Sequence, residues 1–142
     1  MSILFRLPLI SATTPSGFVT CIKTIVLPTE GDFPAENVAI TKVDVIASID
    51  LSESYSELQG KTLRARIIEV APEGVVAFHV HQARPGIAYL IEGTMIENKS
   101  AGEAVVHNKD SFAIERHGVG HWWNNPSDTP ARIFVVDIID SE

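Results

Sequence analysis

Residues 74–81 read GVVAFHVH, an apolar run that ends in two histidines, His79 and His81, at alternate positions. We interpret this run as a β-strand, in which alternate side chains leave the same face of the sheet. Val75 and Ala77 share the parity of the two histidines, so that face is otherwise apolar and is expected to point into the fold. Buried imidazoles need partners, and a metal ion satisfies both. A pair of surface histidines on an exposed strand remains the alternative.

A third histidine strengthens the metal interpretation. His121 follows a glycine-flanked turn and opens a further predicted strand with the sequence HWWNN. A closed β-barrel can present this third imidazole, from a different strand, to the pair at His79 and His81. The sequence therefore predicts a metal site with three nitrogen ligands. The two remaining histidines, His107 and His117, are expected at the surface.

These stretches resemble the two motifs of the cupin superfamily. Residues 74–93 contain the glycine, the His-x-His pair and the closing glycine of the first motif. Residues 110–125 contain the Gly-x-x-His-x-x-x-Asn core of the second motif, and the residues of that core are Gly118, His121 and Asn125. Asn125 is expected to hold the turn before Pro126 through bonds from its side chain to the backbone.

The resemblance covers roughly residues 60–140 and carries expectations about fold and site. It implies an all-β fold, a single jelly-roll β-barrel (cupin-like) with N-terminal extension strands, whose side chains line a central cavity. It also implies that His79, His81 and His121 are the metal ligands.

The sequence departs from the family pattern at the glutamate of the first motif. Counting back from Gly93, that position is Gly86, which has no side chain to offer a metal. Arg116 and Asp110 also replace the usual proline and leading glycine of the second motif. The expected ligand set is therefore three histidines with no carboxylate, which leaves positions open for water or substrate. An open position is typical of a catalytic rather than a structural metal site. Glu115 is the alternative source of a carboxylate.

Composition excludes several other classes of function. The chain has 142 residues, the size of one domain, and its 11 basic and 18 acidic residues give a net charge of −7. Nucleic acids and anionic membranes need a clustered basic surface, so neither is an expected partner. A single cysteine, Cys21, cannot form an intramolecular disulfide or a cysteine-based zinc site. Arg6 and Pro8 interrupt the apolar start of the chain, so we expect a cytoplasmic protein rather than one with a signal peptide.

Short apolar runs separated by Gly, Pro and Asn predict the strands. Residues 1–60 are expected to form an N-terminal arm with strands that pack on the barrel, and residues 61–142 its core, all within one domain. Residues 50–60 are expected to be a linker with one short helical turn, and residues 92–94 a hairpin turn. The predicted strands are residues 22–27, 39–46, 63–70, 75–81, 87–92, 95–98, 104–107, 111–115 and 131–139. The bare edge of the N-terminal strands motivates the expectation of a homodimer.

Three further side chains are expected to line a substrate pocket. Arg84 lies in the loop after His81, and its guanidinium can pair with a substrate carboxylate through two hydrogen bonds. Tyr89 offers a hydroxyl from the next strand, and Trp123 shares the strand parity of His121 and would form an aromatic wall. A solvated loop arginine and two packed core aromatics are the alternative interpretation.

Together these features predict a metal-binding cupin. The expected function is a metal-dependent enzyme, of the dioxygenase or the isomerase/lyase type, that acts on a small organic substrate, with a carboxylate as the group that Arg84 would bind. Its cofactor would be one divalent transition metal, and the ligand types do not choose among Fe, Ni, Mn, Cu and Zn. The alternative is a non-catalytic barrel that binds or senses a small ligand, which the missing glutamate favours.

Overall fold

The computed structural model describes residues 33–141, which form eight β-strands and two single-turn 3-10 helices. The strands are β1 (Val38–Asp50), β2 (Lys61–Val80), β3 (Gly86–Glu92), β4 (Thr94–Lys99), β5 (Ala104–Asn108), β6 (Phe112–Glu115), β7 (Gly120–Asn124) and β8 (Ala131–Asp140). The helices, Leu51–Glu53 and Ser56–Leu58, occupy the predicted linker, where the sequence predicted one helical turn rather than two.

The long strand β2 organises the fold because it changes partners along its length. Residues 61–70 pair with β8 on one edge and with β1 on the other, whereas residues 75–80 pair with β7. Between the two parts Glu73 adopts a left-handed backbone with φ of 60°, next to Gly74. The two strands predicted at 63–70 and 75–81 are therefore one strand, which continues through Glu73 and Gly74 without reversing its direction.

The sheet folds on itself into a jelly-roll barrel, which confirms the predicted fold class. Its strand order is β5-β4-β7-β2-β8-β3-β6, and β1 is added along β2. Because β2 belongs to both halves, the halves face each other and enclose an apolar core. The core side chains are Val70, Ala88, Leu90, Met95, Ala113, Trp123, Ala131, Ile133 and Val135.

Gly93 forms the corner between the two halves rather than a hairpin. The strands on either side of it do not pair with each other, since β3 pairs with β6 and β8 while β4 pairs with β5 and β7. The φ of Gly93 is 84°, and a Cβ atom there would lie 2.9 Å from the Ala131 Cα and the Pro130 carbonyl oxygen. The predicted hairpin turn at residues 92–94 was wrong, but its glycine is required for this close approach.

The described part of the N-terminal region belongs to the same sheet. β1 pairs with β2 in an antiparallel register that runs from Asp50 opposite Thr62 to Val38 opposite Val75. The strand predicted at residues 22–27 lies outside the described residues, as does the apolar start of the chain. Neither 3-10 helix is long and apolar enough to cross a membrane. The cytoplasmic location stays a prediction.

Asn125 ties the loop before β8 to the end of the first half of β2, as the sequence predicted. Its Nδ2 donates hydrogen bonds to the carbonyl oxygens of Val70, Ala71 and Thr129 at 3.2, 3.1 and 2.8 Å. Its Oδ1 accepts from the backbone N–H and the hydroxyl of Ser127 at 3.0 and 2.7 Å. Asn125 is 1% exposed and Val70 is fully buried, so the Val70 carbonyl would otherwise be a poorly solvated polar group.

Replacing Asn125 with alanine should lower the free energy of unfolding by about 2–4 kcal/mol, because several buried backbone groups would lose their partner. Urea denaturation followed by circular dichroism measures the change. Asn108→Ala is the matched control, since the Asn108 side chain accepts one exposed bond from Thr94. Equal losses in the two variants would contradict a special role for Asn125.

Candidate metal centre

Three histidines from two neighbouring strands meet inside the barrel. His79 lies near the end of β2, His81 directly follows that strand, and His121 lies on β7. The antiparallel register places His79 opposite His121. Glu115, the last residue of β6, completes a group whose ligand atoms all lie within 4.8 Å of one another. The structure thus brings the three predicted histidines together and adds a carboxylate.

The turn before His121 holds the two strands together at this point. The backbone N–H of His81 donates to the Val119 carbonyl at 2.9 Å, and the N–H of Gly118 donates to the His81 carbonyl at 3.0 Å. Gly118 has a φ of 79°, a conformation in which glycine avoids the strain that a side chain would add. The second-motif glycine therefore positions the third histidine by letting the loop return to β2.

Hydrogen bonds fix the tautomer of each imidazole. The Nδ1–H groups of His79 and His81 donate to the carbonyl oxygens of Ala77 and Arg84 at 2.9 and 2.8 Å. The Nδ1–H of His121 donates to a carboxylate oxygen 2.7 Å away. Because these acceptors have no proton to give, each neutral ring carries its lone pair on Nε2. All three Nε2 atoms converge, with His121 Nε2 3.0 Å from that of His81 and 3.1 Å from that of His79.

This arrangement fits a metal ion. Three lone pairs at such distances repel one another unless a cation lies between them, and burial opposes protonation. Burial lowers the pKa of His79 to about 4 and also lowers the pKa of His81. Metal–nitrogen bonds of ~2.0–2.1 Å place the nitrogens about 2.9 Å apart at right angles, and about 3.3–3.4 Å apart in a tetrahedron. The observed spacing is close to the right-angle value.

Glu115 supplies the carboxylate that the sequence analysis expected to be missing. Its oxygens lie 3.6 Å from His81 Nε2 and 3.8 Å from His121 Nε2. The register pairs Glu115 with Gly86, and a Cβ atom on Gly86 would lie 2.9 Å from the Glu115 Oε2. The carboxylate thus occupies the space above Gly86 and lies beside the three histidines, where the sequence analysis expected no carboxylate. Cross-strand pairing, which no local pattern reveals, was the missing information.

Burial raises the pKa of Glu115, although the nearby His121, Arg84 and Arg66 act in the opposite direction. The side chain is 5% exposed. A positive ion at the three nitrogens would stabilise its ionised form, so the carboxylate and the imidazoles have the complementary chemistry of a candidate cation site.

A second carboxylate, Glu97 on β4, orients His121. Its Oε1 accepts the His121 Nδ1–H, and its Oε2 accepts from His107 Nε2 at 3.1 Å. Burial alone would raise the pKa of Glu97, but the hydrogen bonds from His121 and His107 outweigh it and leave the pKa below its usual range. His107 is 7% exposed, and its ring centroid lies 4.9 Å from that of Trp123. The prediction of a surface His107 was wrong because its side chain points inward from β5.

A cavity of about 280 Å³ is lined by three of the four clustered residues, His79, His81 and Glu115. Trp123 and Arg84, which the sequence analysis singled out, also line it. Apolar walls come from Val76, Ile133 and Val135, and Ile40 and Val43 of β1 also line the cavity. A volume of this size suits a small molecule.

Three arginines gather on one buried carboxylate beside this cavity. Arg64 donates two hydrogen bonds to Asp137, at 3.1 and 2.9 Å, and Arg66 donates one at 3.1 Å. The Arg84 Nε lies 3.8 Å from the same carboxylate, whose side chain is fully buried. The Nε of Arg66 is buried and has no hydrogen-bond partner. The three guanidinium groups and the one carboxylate have a net charge of +2, and the nearby Glu115 interacts with Arg66 and Arg84. These two arginines line the cavity.

Other side chains that the sequence singled out lie away from the centre. Tyr89 points to the opposite face of the sheet, is 37% exposed, and donates its hydroxyl to Asp110 at 2.8 Å. It does not line the cavity, so its predicted place in the pocket was wrong. Its neighbours Ala88 and Leu90 are the inward-facing residues of β3. Arg116 and His117 are exposed in the loop that precedes β7.

The metal-free protein should lose stability as the pH falls from about 6.5 towards 4. An unperturbed histidine has a pKa of 6.5, whereas the pKa of His79 in the folded protein is about 4. Between these values the His79 side chain binds a proton in the unfolded chain but not in the folded protein. The contribution of His79 to the free energy of unfolding is therefore fully present above pH 6.5 and decreases below it. Urea denaturation of chelator-treated protein measures this slope. His79→Asn should flatten it and His117→Asn should not; an unchanged slope in His79→Asn would contradict the prediction.

Replacing Glu97 with glutamine should weaken metal binding by about 10–100-fold. The reason is that the candidate ligand His121 loses the carboxylate that accepts its Nδ1–H. Competition with a chelator of known affinity, using Co²⁺ as a spectroscopic probe, measures the dissociation constant. Glu103→Gln is the matched control, since that carboxylate is 62% exposed and pairs with Lys99. Equal affinities in the two variants would show that Glu97 does not position His121.

Known proteins share this architecture at low sequence identity. No curated protein matches the chain in sequence. A structure described as a predicted oxalate decarboxylase from Thermotoga maritima aligns over 81% of this chain and 99% of its own, with a TM-score of 0.54 and 17% identity. A recombinant oxalate oxidase in complex with glycolate aligns over 75% of this chain and 59% of its own, with a TM-score of 0.51 and 18% identity.

The Schizosaccharomyces pombe Cnp3 cupin domain also aligns, over 58% of this chain and 66% of its own, with a TM-score of 0.51 and 12% identity. This alignment spans just under two thirds of that protein. Likeness at these identities concerns the fold alone. A family model described as the cupin domain matches residues 66–137, half of the chain, and includes all four residues of the candidate centre. The chain belongs to the cupin family.

Proposed function

We propose that the protein is a metal-dependent enzyme that acts on a small organic substrate bearing a carboxylate. The observation that carries the proposal is the convergence of three Nε2 lone pairs and the Glu115 carboxylate at the edge of a cavity of about 280 Å³. His79, His81, His121 and Glu115 would hold one divalent transition metal. Three of these residues line the cavity, so a metal held there would be accessible to a substrate, as a catalytic centre requires.

The ligand types leave the choice of metal open. Imidazole and carboxylate suit divalent iron, nickel, manganese, copper and zinc. Bound there, the metal would polarise a substrate oxygen as a Lewis acid or, if redox-active, support reaction with O₂. The reaction would accordingly be of the dioxygenase type or of the isomerase/lyase type.

The arginines give the substrate its anchor. Arg66 and Arg84 line the cavity, and the Arg66 Nε is a buried donor without a partner. A carboxylate is the acceptor that a guanidinium binds best, through paired charge-assisted hydrogen bonds. A substrate held there would lie in the same cavity as His79, His81 and Glu115, against walls that include Trp123 and the apolar side chains.

The first test is the metal content per chain, measured by elemental mass spectrometry on protein purified without a histidine tag. We expect about one equivalent of iron, manganese, nickel or copper, lost in His79→Ala and in His121→Ala. His117→Ala, in which an exposed loop histidine is removed, should keep the metal. Zinc would direct the search towards Lewis-acid chemistry without redox. No metal after reconstitution would overturn the enzyme proposal in favour of a ligand-binding barrel.

The second test concerns the carboxylate anchor. Arg84→Met should weaken binding of a small carboxylate at least tenfold, because a charge-assisted hydrogen bond is lost. The acceptor for His81 is the backbone carbonyl of Arg84 and survives the substitution, so the centre keeps its geometry. Oxalate and glycolate are suitable first probes, since proteins of the same fold are described with them. Isothermal titration measures the affinity, with Arg116→Met as the exposed control; equal affinities would refute the anchor.

A further inference from the structure

A fourth buried imidazole lies close to the metal centre but outside the group of candidate ligands. His107 is 7% exposed and is the one buried residue of β5, whose other residues are exposed or half-buried. Strand β5 lies at one end of the strand order and pairs with β4. A buried polar ring on such a strand costs free energy unless it has a hydrogen-bond partner. The role of His107 is therefore to be found in the groups that its ring contacts.

The strand registers place Glu97 between two histidines. Glu97 lies opposite Val105 on β5 and opposite Trp123 on β7. His107 and His121 each lie two residues away from these partners, so both are diagonal neighbours of Glu97, a separation that long side chains can span. Its Oε2 accepts the His107 Nε2–H at 3.1 Å, and its Oε1 accepts the His121 Nδ1–H at 2.7 Å. The carboxylate therefore connects His107 to the candidate ligand.

The bond from His107 restricts the orientation of this carboxylate. The terminal torsion of a glutamate is broad, so a single bond to His121 would leave the plane of the Glu97 carboxylate free to turn. A second bond on the other oxygen fixes that plane. Glu97 is 4% exposed, so water does not readily replace a donor that is lost there. Without His107 the carboxylate would turn towards other donors and hold His121 less firmly.

Trp123 keeps the His107 ring in place. The two ring centroids lie 4.9 Å apart, with the planes at 38°. The same indole lies 5.6 Å from the His121 ring, at 69°. Trp123 is itself 5% exposed, so its packing restrains both imidazoles. Each of the two rings is thus held by one contact with Trp123 and one hydrogen bond to the same carboxylate.

The orientation of Glu97 decides which nitrogen of His121 faces the centre. A neutral imidazole carries its hydrogen on either nitrogen, and the acceptor selects the tautomer. The bond to Glu97 keeps the hydrogen on Nδ1, which leaves the lone pair on Nε2, 3.0 Å from the Nε2 of His81. If the carboxylate turned away, the hydrogen would also occupy Nε2, and that nitrogen would then be unable to bind a metal.

We propose that His107 is a positioning residue of the candidate metal centre, which holds the Glu97 carboxylate in the orientation that keeps the hydrogen of His121 on Nδ1. This role rests on the metal-binding function proposed above and deepens it. His107 contacts neither the metal nor the substrate in this proposal, because its effect passes through Glu97. The effect therefore extends to the metal-free protein, where the tautomer of His121 reports it.

NMR of the metal-free full chain, with isotope-labelled histidine at neutral pH, measures the tautomer of His121. The unaltered protein should carry the hydrogen on Nδ1 alone. His107→Phe keeps a ring against Trp123 but has no donor, and should give a mixture of the two tautomers. His107→Gln can donate from its amide and should restore the single tautomer. The signals that disappear in His121→Ala are those of His121.

Metal affinity gives a second readout. Competition between the protein and a chelator for Co²⁺ should show a dissociation constant raised about tenfold in His107→Phe, at the lower end of the effect of groups that orient metal-binding histidines. Because His107 acts through Glu97, its substitution should matter little once Glu97 is altered. In a chain that carries Glu97→Gln, adding His107→Phe should change the dissociation constant by less than about twofold.

Leu90→Ala is the control for packing. Leu90 is 3% exposed and, like His107, lines a small cavity of about 10 Å³, but its side chain has no polar atom to offer Glu97. The variant should lose stability and keep both the tautomer of His121 and the affinity for Co²⁺. If Leu90→Ala changes both as much as His107→Phe does, loosened packing explains the effect and the proposal is overturned.

Two further results would overturn the proposal. One is an unchanged tautomer of His121 in His107→Phe, and the other is an undiminished effect of His107→Phe in the chain with Glu97→Gln. His107→Leu replaces His107→Phe, with the same expected results, if circular dichroism shows that the phenylalanine variant is unfolded. If the unaltered chain binds no Co²⁺, the proposed enzyme function fails, whereas the tautomer of His121 still decides the role of His107.

Discussion

The register that places His79 opposite His121 is the constraint on which the centre depends. Directly opposed residues of antiparallel strands have Cβ atoms about 4.5–5.5 Å apart, which lets their rings converge on one point. Convergence also requires that each ring turn the same nitrogen inward. The Ala77 carbonyl, the Arg84 carbonyl and the Glu97 carboxylate each hold one Nδ1–H, so the remaining nitrogens share one small volume.

Charge balance connects this centre to its surroundings. Three neutral imidazoles bring no charge, whereas Glu115 and Glu97 are two buried carboxylates at the inner and outer sides of His121. Two anions are the number that neutralises a divalent cation, and interactions between charges are strong at a site shielded from water. The arginines around Asp137 carry the opposite excess, which an anionic substrate would balance.

Local periodicity accounts for the part of the site that could be predicted from the sequence. His79 and His81 share a face because strand side chains alternate, and the glycine-flanked turn before His121 indicated a third ligand from another strand. Glu115 was weighed only as an alternative, because its place above Gly86 depends on pairing between strands distant in sequence. The hydrogen bond from His107 to Glu97 could not be predicted for the same reason, because Glu97 lies on the neighbouring strand.

Strand alternation also separates the side chains that form the core of the barrel from those on its outer surface. The inner residues of β3, β6 and β8 are small or apolar, apart from Glu115 beside the histidines and Asp137 under the arginines. Packing of the barrel places no such demand on the outer residues, where polar side chains would serve equally well. Phe112 and Ile87 are exposed at these outer positions. The place of Glu115 beside the three histidines therefore depends on which residues of β6 face inward, whatever side chains the outer positions carry.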